Sequence, residues 1–170
     1  MASYLMALDA GTGSVRAVLF DTAGNQIGVS QHEWEHLEDP RYPGSMDFDW
    51  NNNWALTVQC IKNVIRDTHI SPSDIAAIST TCMREGIVLY DSGFREIWAC
   101  ANVDARSNDE VSELLAQSDT LEKEIYSVSG QTFALDAVPR ILWVKNKMPE
   151  LYEKTAYVSM FNDWLIYKLT

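Results

Sequence analysis

Between residues 8 and 21 the chain reads LDAGTGSVRAVLFD. An aspartate, two glycines, a threonine and a serine separate two apolar runs, and no large side chain stands between Asp9 and Val15. A two-residue hairpin needs only Asn-Gly or Asp-Gly at its turn, so this one spends more small residues than turning requires. Gly11 and Gly13 let a backbone approach a ligand closely. Successive backbone N–H groups in such a loop form an anion-binding nest, and Thr12 and Ser14 add hydroxyl donors. Asp9, at the strand end, could hold Mg²⁺ or its waters beside phosphates. The Gly-Lys-Ser/Thr ending of a Walker loop is missing. A ligand-free glycine-rich hairpin has the same spacing, which leaves both readings open.

A second constellation lies in MREGIVLYDSGFREIWACANVDAR. Arg84 and Glu85 are adjacent where an apolar strand should end, the position of ligand clefts in α/β sheets. Together they offer donors and acceptors suited to a polyhydroxylated substrate. A surface ion pair at a turn, nearly neutral in energy, is the alternative. His32 and His36 are four apart, but in a segment that reads as extended, where a solvated strand is favoured over a metal site. His69 reads as structural. Trp98 could line a cleft or pack in the core, and the other tryptophans mostly fall at helical core spacing. Asp109, Glu110, Glu113, Glu122 and Glu124 read as a solvated helix face.

Composition limits the partners. The 170 residues suit one domain. A net charge of −11 repels nucleic acid and anionic membranes. A phosphate ligand would need a local device that overcomes this field. The three cysteines have neither zinc spacing nor the even count of a disulfide framework. The N-terminus lacks the pattern of a signal peptide, and no apolar run approaches the ~20 residues that span a bilayer. The expectation is a cytoplasmic protein, with nucleic acid and membrane excluded as partners.

The elements that must position these residues follow from periodicity. Extended segments are expected at 4–9, 15–21 and 26–36, forming an antiparallel meander. A loop at 40–45 leads to a helix capped by Asp47 or Asp49, with Trp50, Trp54, Val58, Ile61 and Ile65 on its buried face. Residues 75–82 read as a buried strand. A further β segment, 86–100, turns at Asp91–Gly93. Helices follow over 105–118, with Val111, Leu114 and Leu115 on one face, and over 120–128, ending near Gly130 as C-cap. Another runs from Pro139 to Lys147. TAYVSM suits a strand and NDWLIYKLT a last helix. The order implies a mixed sheet flanked by helices, an α/β fold.

The opening stretch resembles the first phosphate motif of the FGGY family of sugar and polyol kinases, Asp-x-Gly-Thr-x-Ser-x-Arg. Here it is Asp9, Gly11, Thr12, Ser14 and Arg16. The resemblance implies a ribonuclease H-like, actin-like ATPase fold. It also implies a loop, Gly13 included, that clasps the phosphates of ATP, with Asp9 supporting Mg²⁺. Arg84 and Glu85 would then contact substrate hydroxyls. Asn102, Asp104 and Arg106 resemble the family's Trp-x-Asp-x-Arg segment, with the tryptophan absent, which suggests an unusual substrate pocket. Asp136, in GQTFALDAVPR, lies where relatives place a substrate contact. PGSMDFD, MREGIVLY, IWACANVDAR and NDWLIYKLT resemble one branch of the family, whose substrate is a small linear hydroxy-ketone of bacterial quorum signalling. A ketopentose or polyol kinase (ribulose, xylulose or glycerol) is the alternative, and a non-catalytic actin-like binding module a second. The family's general base lies in a Gly-Gly-Asp-like segment, which this sequence lacks. The expectation is therefore an incomplete N-terminal kinase domain over 1–170, with the second domain and the base elsewhere, inactive by itself.

Overall fold

The computed structural model describes residues 4–170. Along the chain run β1 (Tyr4–Ala10), β2 (Ser14–Asp21), β3 (Gln26–Glu33), α1 (Trp50–Thr68), β4 (Ile75–Cys82), β5 (Ile87–Tyr90) and β6 (Glu96–Cys100). Then follow α2 (Asn108–Gln117), α3 (Leu121–Ser129), α4 (Ala137–Lys147), α5 (Pro149–Lys154), β7 (Tyr157–Met160) and α6 (Phe161–Leu169). They divide into two compact units. The first takes the described residues up to Glu35, Asp49–Met83 and Phe161–Thr170; the second takes His36–Phe48 and Arg84–Met160.

The first unit is built on a four-stranded sheet of order β3-β2-β1-β4. The meander pairs β1 with β2 and β2 with β3 antiparallel, and β4 joins β1 in parallel. Alternation buries Met6, Leu8, Ala10, Val15, Ala17 and Leu19. The expected strand 26–36 stops at Glu33. Asp49, rather than Asp47, caps α1: its carboxylate accepts from Asn52 N at 3.0 Å.

Two expectations for this unit are corrected. The buried stripe of α1 is Asn53, Thr57, Cys60 and Val64, one position earlier than the apolar series. Trp50, Trp54, Val58, Ile61 and Ile65 are only half-buried along its sides. The reason is close approach. Gly28 of β3 meets the helix directly, and a Cβ there would lie 2.4 Å from Thr68 Cγ2. Small residues therefore face the sheet, and the large ones straddle the contact. Trp54 packs edge-on against Trp164 of α6, with centroids 6.2 Å apart. The second correction concerns β4, which is mostly exposed rather than buried. It is the edge strand, and α6 covers it only in part, with Thr80 Oγ1 donating to Asn162 Oδ1 at 2.7 Å.

The second unit has its own antiparallel sheet, of order β6-β5-β7. The 86–100 segment and TAYVSM thus build a separate sheet where one continuous mixed sheet was expected. Its core joins Ile87, Leu89, Trp98 and Cys100 to Ala137, Trp143 and Val144 of α4. Gly130 ends α3 in the left-handed conformation (φ 70°), as its C-cap assignment requires. In α2, Leu115 is exposed and Glu110 is buried, 3% exposed. The expected solvated acidic face therefore loses Glu110, which turns onto α4 and accepts from Asn146 Nδ2 at 3.3 Å. Helix α5 has no counterpart in the sequence reading.

Candidate functional site

The residues between β1 and β2 owe their arrangement to one tryptophan. Trp34, 5% exposed, donates from its indole Nε1 to the carbonyls of Gly11 (3.2 Å) and Thr12 (3.0 Å). Its backbone N donates to the carbonyl of Gly13 at 3.1 Å. Three consecutive carbonyls are thereby turned to one side. No peptide bond here is cis, and in a trans peptide the N–H points opposite to the C=O. The N–H groups of Thr12, Gly13 and Ser14 therefore each point away from the Trp34 donor that the preceding carbonyl meets. Such a set is a concavity of positive partial charge.

The glycines gain meaning from what they do not do. Neither Gly11 nor Gly13 has a positive φ. A Cβ on Gly13 would meet nothing within 4 Å, and one on Gly11 would make an ordinary 3.4 Å contact with Ser14 O. Turning the chain does not require either residue. The simple hairpin reading thus leaves both unexplained, whereas close approach of a ligand accounts for them.

Asp9 and Arg16 are cross-strand partners. Arg16 Nη2 lies 2.9 Å from Asp9 Oδ2, with side chains 45% and 32% exposed. A pair this exposed adds little stability. It does orient the carboxylate, and Oδ1 lies outside that contact. One half-exposed carboxylate is a donor set that fits Mg²⁺, which takes one or two carboxylates and completes its shell with phosphates and water. Among the described residues no group of three or more His, Cys, Asp or Glu is placed to hold a metal. His36 instead lies against Phe48, with centroids 6.1 Å apart.

In the second unit a single guanidinium collects four of the other five candidates, all but Arg84. Arg140, 3% exposed, donates from Nη1 to the carbonyls of Glu85 (3.1 Å) and Asp136 (2.9 Å). Its Nη2 donates to the carbonyls of Asn102 (2.8 Å) and Asp104 (3.4 Å). Glu85 sits at φ 60°, left-handed for a residue with a Cβ. Its Oε1 accepts from Gln131 Nε2 at 3.0 Å. Arg84 is exposed and makes no side-chain hydrogen bond or ion pair among the described residues. The Asp136 carboxylate is the N-cap of α4, accepting from Val138 N at 3.0 Å.

Asp104 differs from expectation. Its side chain is fully buried and Arg106, itself 2% exposed, holds it at 2.7 Å. The same carboxylate accepts from the backbone N of Met46 (2.6 Å) and of Arg106 (3.1 Å). With both oxygens occupied and no exposed surface, it anchors the loop after β6 rather than presenting a hydrogen-bonding edge. Arg106 also pairs with Asp47 and lies over the rings of Trp98 and Trp143, 5.1 and 4.9 Å from their centroids. Burial works against its charge, but Asp104 and Asp47 outweigh it and hold the guanidinium above its usual range. Trp98 therefore packs in the core. The neighbouring Cys100 thiol is pushed up to about 12, first by burial and then by the Asp104 charge.

Asp9, Gly11, Thr12, Gly13, Ser14 and Arg16 thus share the first unit, and Arg84, Glu85, Asn102, Asp104 and Asp136 the second. Trp34 and Gln131 are additions to the sequence reading; Arg140 shares the GQTFALDAVPR segment with Asp136, but its carbonyl contacts were not foreseen. Trp34 is not at a helical core position; its signal was an aromatic residue directly after a strand that pairs with the loop's own strand. Open cavities of about 430 Å³, beside Met148 and Leu151, and about 400 Å³, beside Ile78 and Ile166, lie apart from all these residues.

Comparison with known proteins gives the family and the fold. The profile of the FGGY family of carbohydrate kinases, N-terminal domain, matches residues 4–170. The autoinducer-2 kinase of Salmonella typhimurium is 54% identical over 168 residues, 98% of this chain and 32% of that protein. The autoinducer-2 kinase of Enterobacter sp. is 53% identical over 169 residues, again 32% of its length. The chain therefore spans about a third of the length of the curated relatives it matches. Among solved structures, the glycerol kinase of Plasmodium falciparum with ADP has a TM-score of 0.81 at 20% identity, covering 98% of this chain and 34% of that one. The xylulose kinase of Rhodospirillum rubrum has a TM-score of 0.79 at 23% identity, covering 91% and 31%. These likenesses show the actin-like ATPase fold of the carbohydrate kinases.

Proposed function

The chain belongs to the FGGY family of carbohydrate kinases through its N-terminal domain, and from that membership we propose that the full-length protein is an ATP-dependent kinase of autoinducer-2. The observation that carries the reading is the loop at 11–14. Its carbonyls are turned onto Trp34, its N–H groups are aimed the other way, and Gly13 is demanded by neither backbone nor packing. A phosphate chain fits such a surface, and the nest is the local device a chain of charge −11 needs in order to hold an anion.

Phosphoryl transfer is mostly positioning and charge stabilisation. In this reading the N–H groups of Thr12, Gly13 and Ser14 and the hydroxyls of Thr12 and Ser14 hold the ATP phosphates. Asp9, oriented by Arg16, holds Mg²⁺ directly or through water. Bound Mg²⁺ supplies neutralisation of the charge that develops on the transferring group. Arg84 donates to acceptor hydroxyls and Glu85 accepts from them, with Gln131 fixing the Glu85 carboxylate. Asn102 and Asp136 border that acceptor surface. Asp104 stiffens it from within. The general base and the second domain belong, in this reading, to sequence outside these residues. Autoinducer-2 is preferred over ribulose, xylulose or glycerol because relatives at 53–54% identity bear that name, whereas the xylulose and glycerol kinases share only the fold. The three cysteines, all free, accord with a reducing cytoplasm.

The test is ATP consumption by the full-length protein with linear autoinducer-2 precursor, ribulose, xylulose and glycerol. The expected result is the highest kcat/KM with the autoinducer-2 precursor. A higher value with a pentulose or glycerol transfers the assignment to that substrate, and no acceptor-dependent turnover with any of the four refutes the kinase reading.

A further inference from the structure

Arg140 is sealed from water yet has no carboxylate partner among the ion pairs of its unit. A buried cation is expensive unless its donors are satisfied. Here backbone carbonyls satisfy its two terminal nitrogens, while Nε has no hydrogen-bond partner among the described residues. Glu85 and Asp136 take Nη1, and Asn102 and Asp104 take Nη2, at 2.8–3.4 Å. The acceptors come from three separate segments of chain, 36 to 55 residues away from Arg140 in two cases and four residues away in the third. One of them, Glu85, is held at φ 60°. A non-glycine residue persists there only where its surroundings over-determine it, because the conformation is strained. The Arg140 contact on the Glu85 carbonyl and the Gln131 contact on its carboxylate are two such determinants. A planar fork is needed for this task. A lysine ammonium has three donors on one nitrogen and cannot reach across three segments.

We infer that Arg140 is a positioning residue: its guanidinium fixes the backbones of Glu85, Asn102 and Asp136 in one arrangement and so sets affinity for the acceptor substrate without touching it. The inference rests on the kinase reading above. Its effect is specific to the acceptor, since the hydrogen bonds of Arg140 all fall on carbonyls of its own unit, which carries the acceptor candidates.

The test uses the full-length protein with Arg140→Lys and Arg140→Ala. Acceptor KM, ATP KM and thermal midpoint are measured for each, and Arg140→Ala is repeated with added ethylguanidinium. Losing one or two well-placed hydrogen bonds to the acceptor weakens its binding about tenfold to hundredfold, so the acceptor KM should rise by that factor in both variants. The ATP KM should stay within about twofold, and ethylguanidinium should lower the raised acceptor KM of Arg140→Ala. Unchanged acceptor KM in both variants overturns the inference. So does a parallel rise of both KM values, or failure of both variants to fold with ethylguanidinium present, since either makes Arg140 a general support of the core. Wild-type protein inactive on every acceptor refutes the kinase reading itself, whereas active wild-type protein with unaffected variants refutes this inference alone.

Discussion

Replacing Gly13 by alanine separates the two explanations of the 11–14 loop. If the glycine only served the hairpin, a methyl group there would strain it. The structure says otherwise: φ is not positive and a Cβ would find no atom within 4 Å. Alanine at a compatible position restricts the unfolded chain and stabilises by roughly 0.4–1 kcal/mol. Gly13→Ala should therefore leave the thermal midpoint unchanged or slightly higher. Its methyl group would crowd the surface formed by the N–H groups of Thr12, Gly13 and Ser14. A hydrogen bond to a charged acceptor is worth about 1.5–3 kcal/mol, so losing one should lower kcat/KM for ATP by about tenfold to hundredfold. The assay pairs thermal unfolding with ATP kinetics on the full-length protein. Gly28→Ala is the control with the opposite signature. Its Cβ would lie 2.4 Å from Thr68 Cγ2 and 3.3 Å from Val64 Cγ2, which predicts a loss of about 1–3 kcal/mol in stability from overpacking with ATP kinetics preserved in the folded fraction. Gly13→Ala with wild-type kcat/KM for ATP, or with a midpoint several degrees lower, would refute the reasoning.

The buried pairs give two more expectations. Asp104→Asn leaves the Arg106 guanidinium buried with its main partner neutralised, and breaking such a pair should lose about 3–5 kcal/mol in denaturant unfolding; a loss below about 1 kcal/mol would mean Asp47 suffices alone. The Cys100 thiol, ordinarily near 9.0, titrates near 12 in the fold. Its neutral form is thus favoured by folding: that contribution is whole below pH 9, declines as pH rises above it, and is gone past pH 12. Wild-type stability should fall between pH 9 and 11 more steeply than that of Cys100→Ala, and parallel curves would show that the thiol does not titrate in this range.

What could be read from the sequence was local. The meander follows from alternation between turns that are close in the chain, and the Gly130 cap and a carboxylate cap at Asp47 or Asp49 from residue type. The motif Asp9–Arg16 is a run of eight residues and is visible without a fold. What was missed depends on contacts between distant segments. The stripe of α1 moved by one position because Gly28 admits the helix face that carries small residues, a fact of packing rather than of periodicity. Glu110 looked solvated in its own helix and is buried by α4. Arg140 reads as one basic residue in an apolar helix, and nothing near it in sequence reveals the carbonyls it serves. Asp104 matched a motif, but only its neighbours in space show that Arg106 and two backbone N–H groups already occupy it.

The central claim is that residues 11–14 hold the phosphates of ATP. A crystal structure of the full-length protein with a non-hydrolysable ATP analogue and Mg²⁺ tests it most directly. The account predicts phosphate oxygens about 3 Å from the backbone nitrogens of Thr12, Gly13 and Ser14, with Mg²⁺ or its waters on Asp9 and the Trp34 hydrogen bonds to the loop retained. Phosphates bound elsewhere, with this loop facing only solvent, would contradict it.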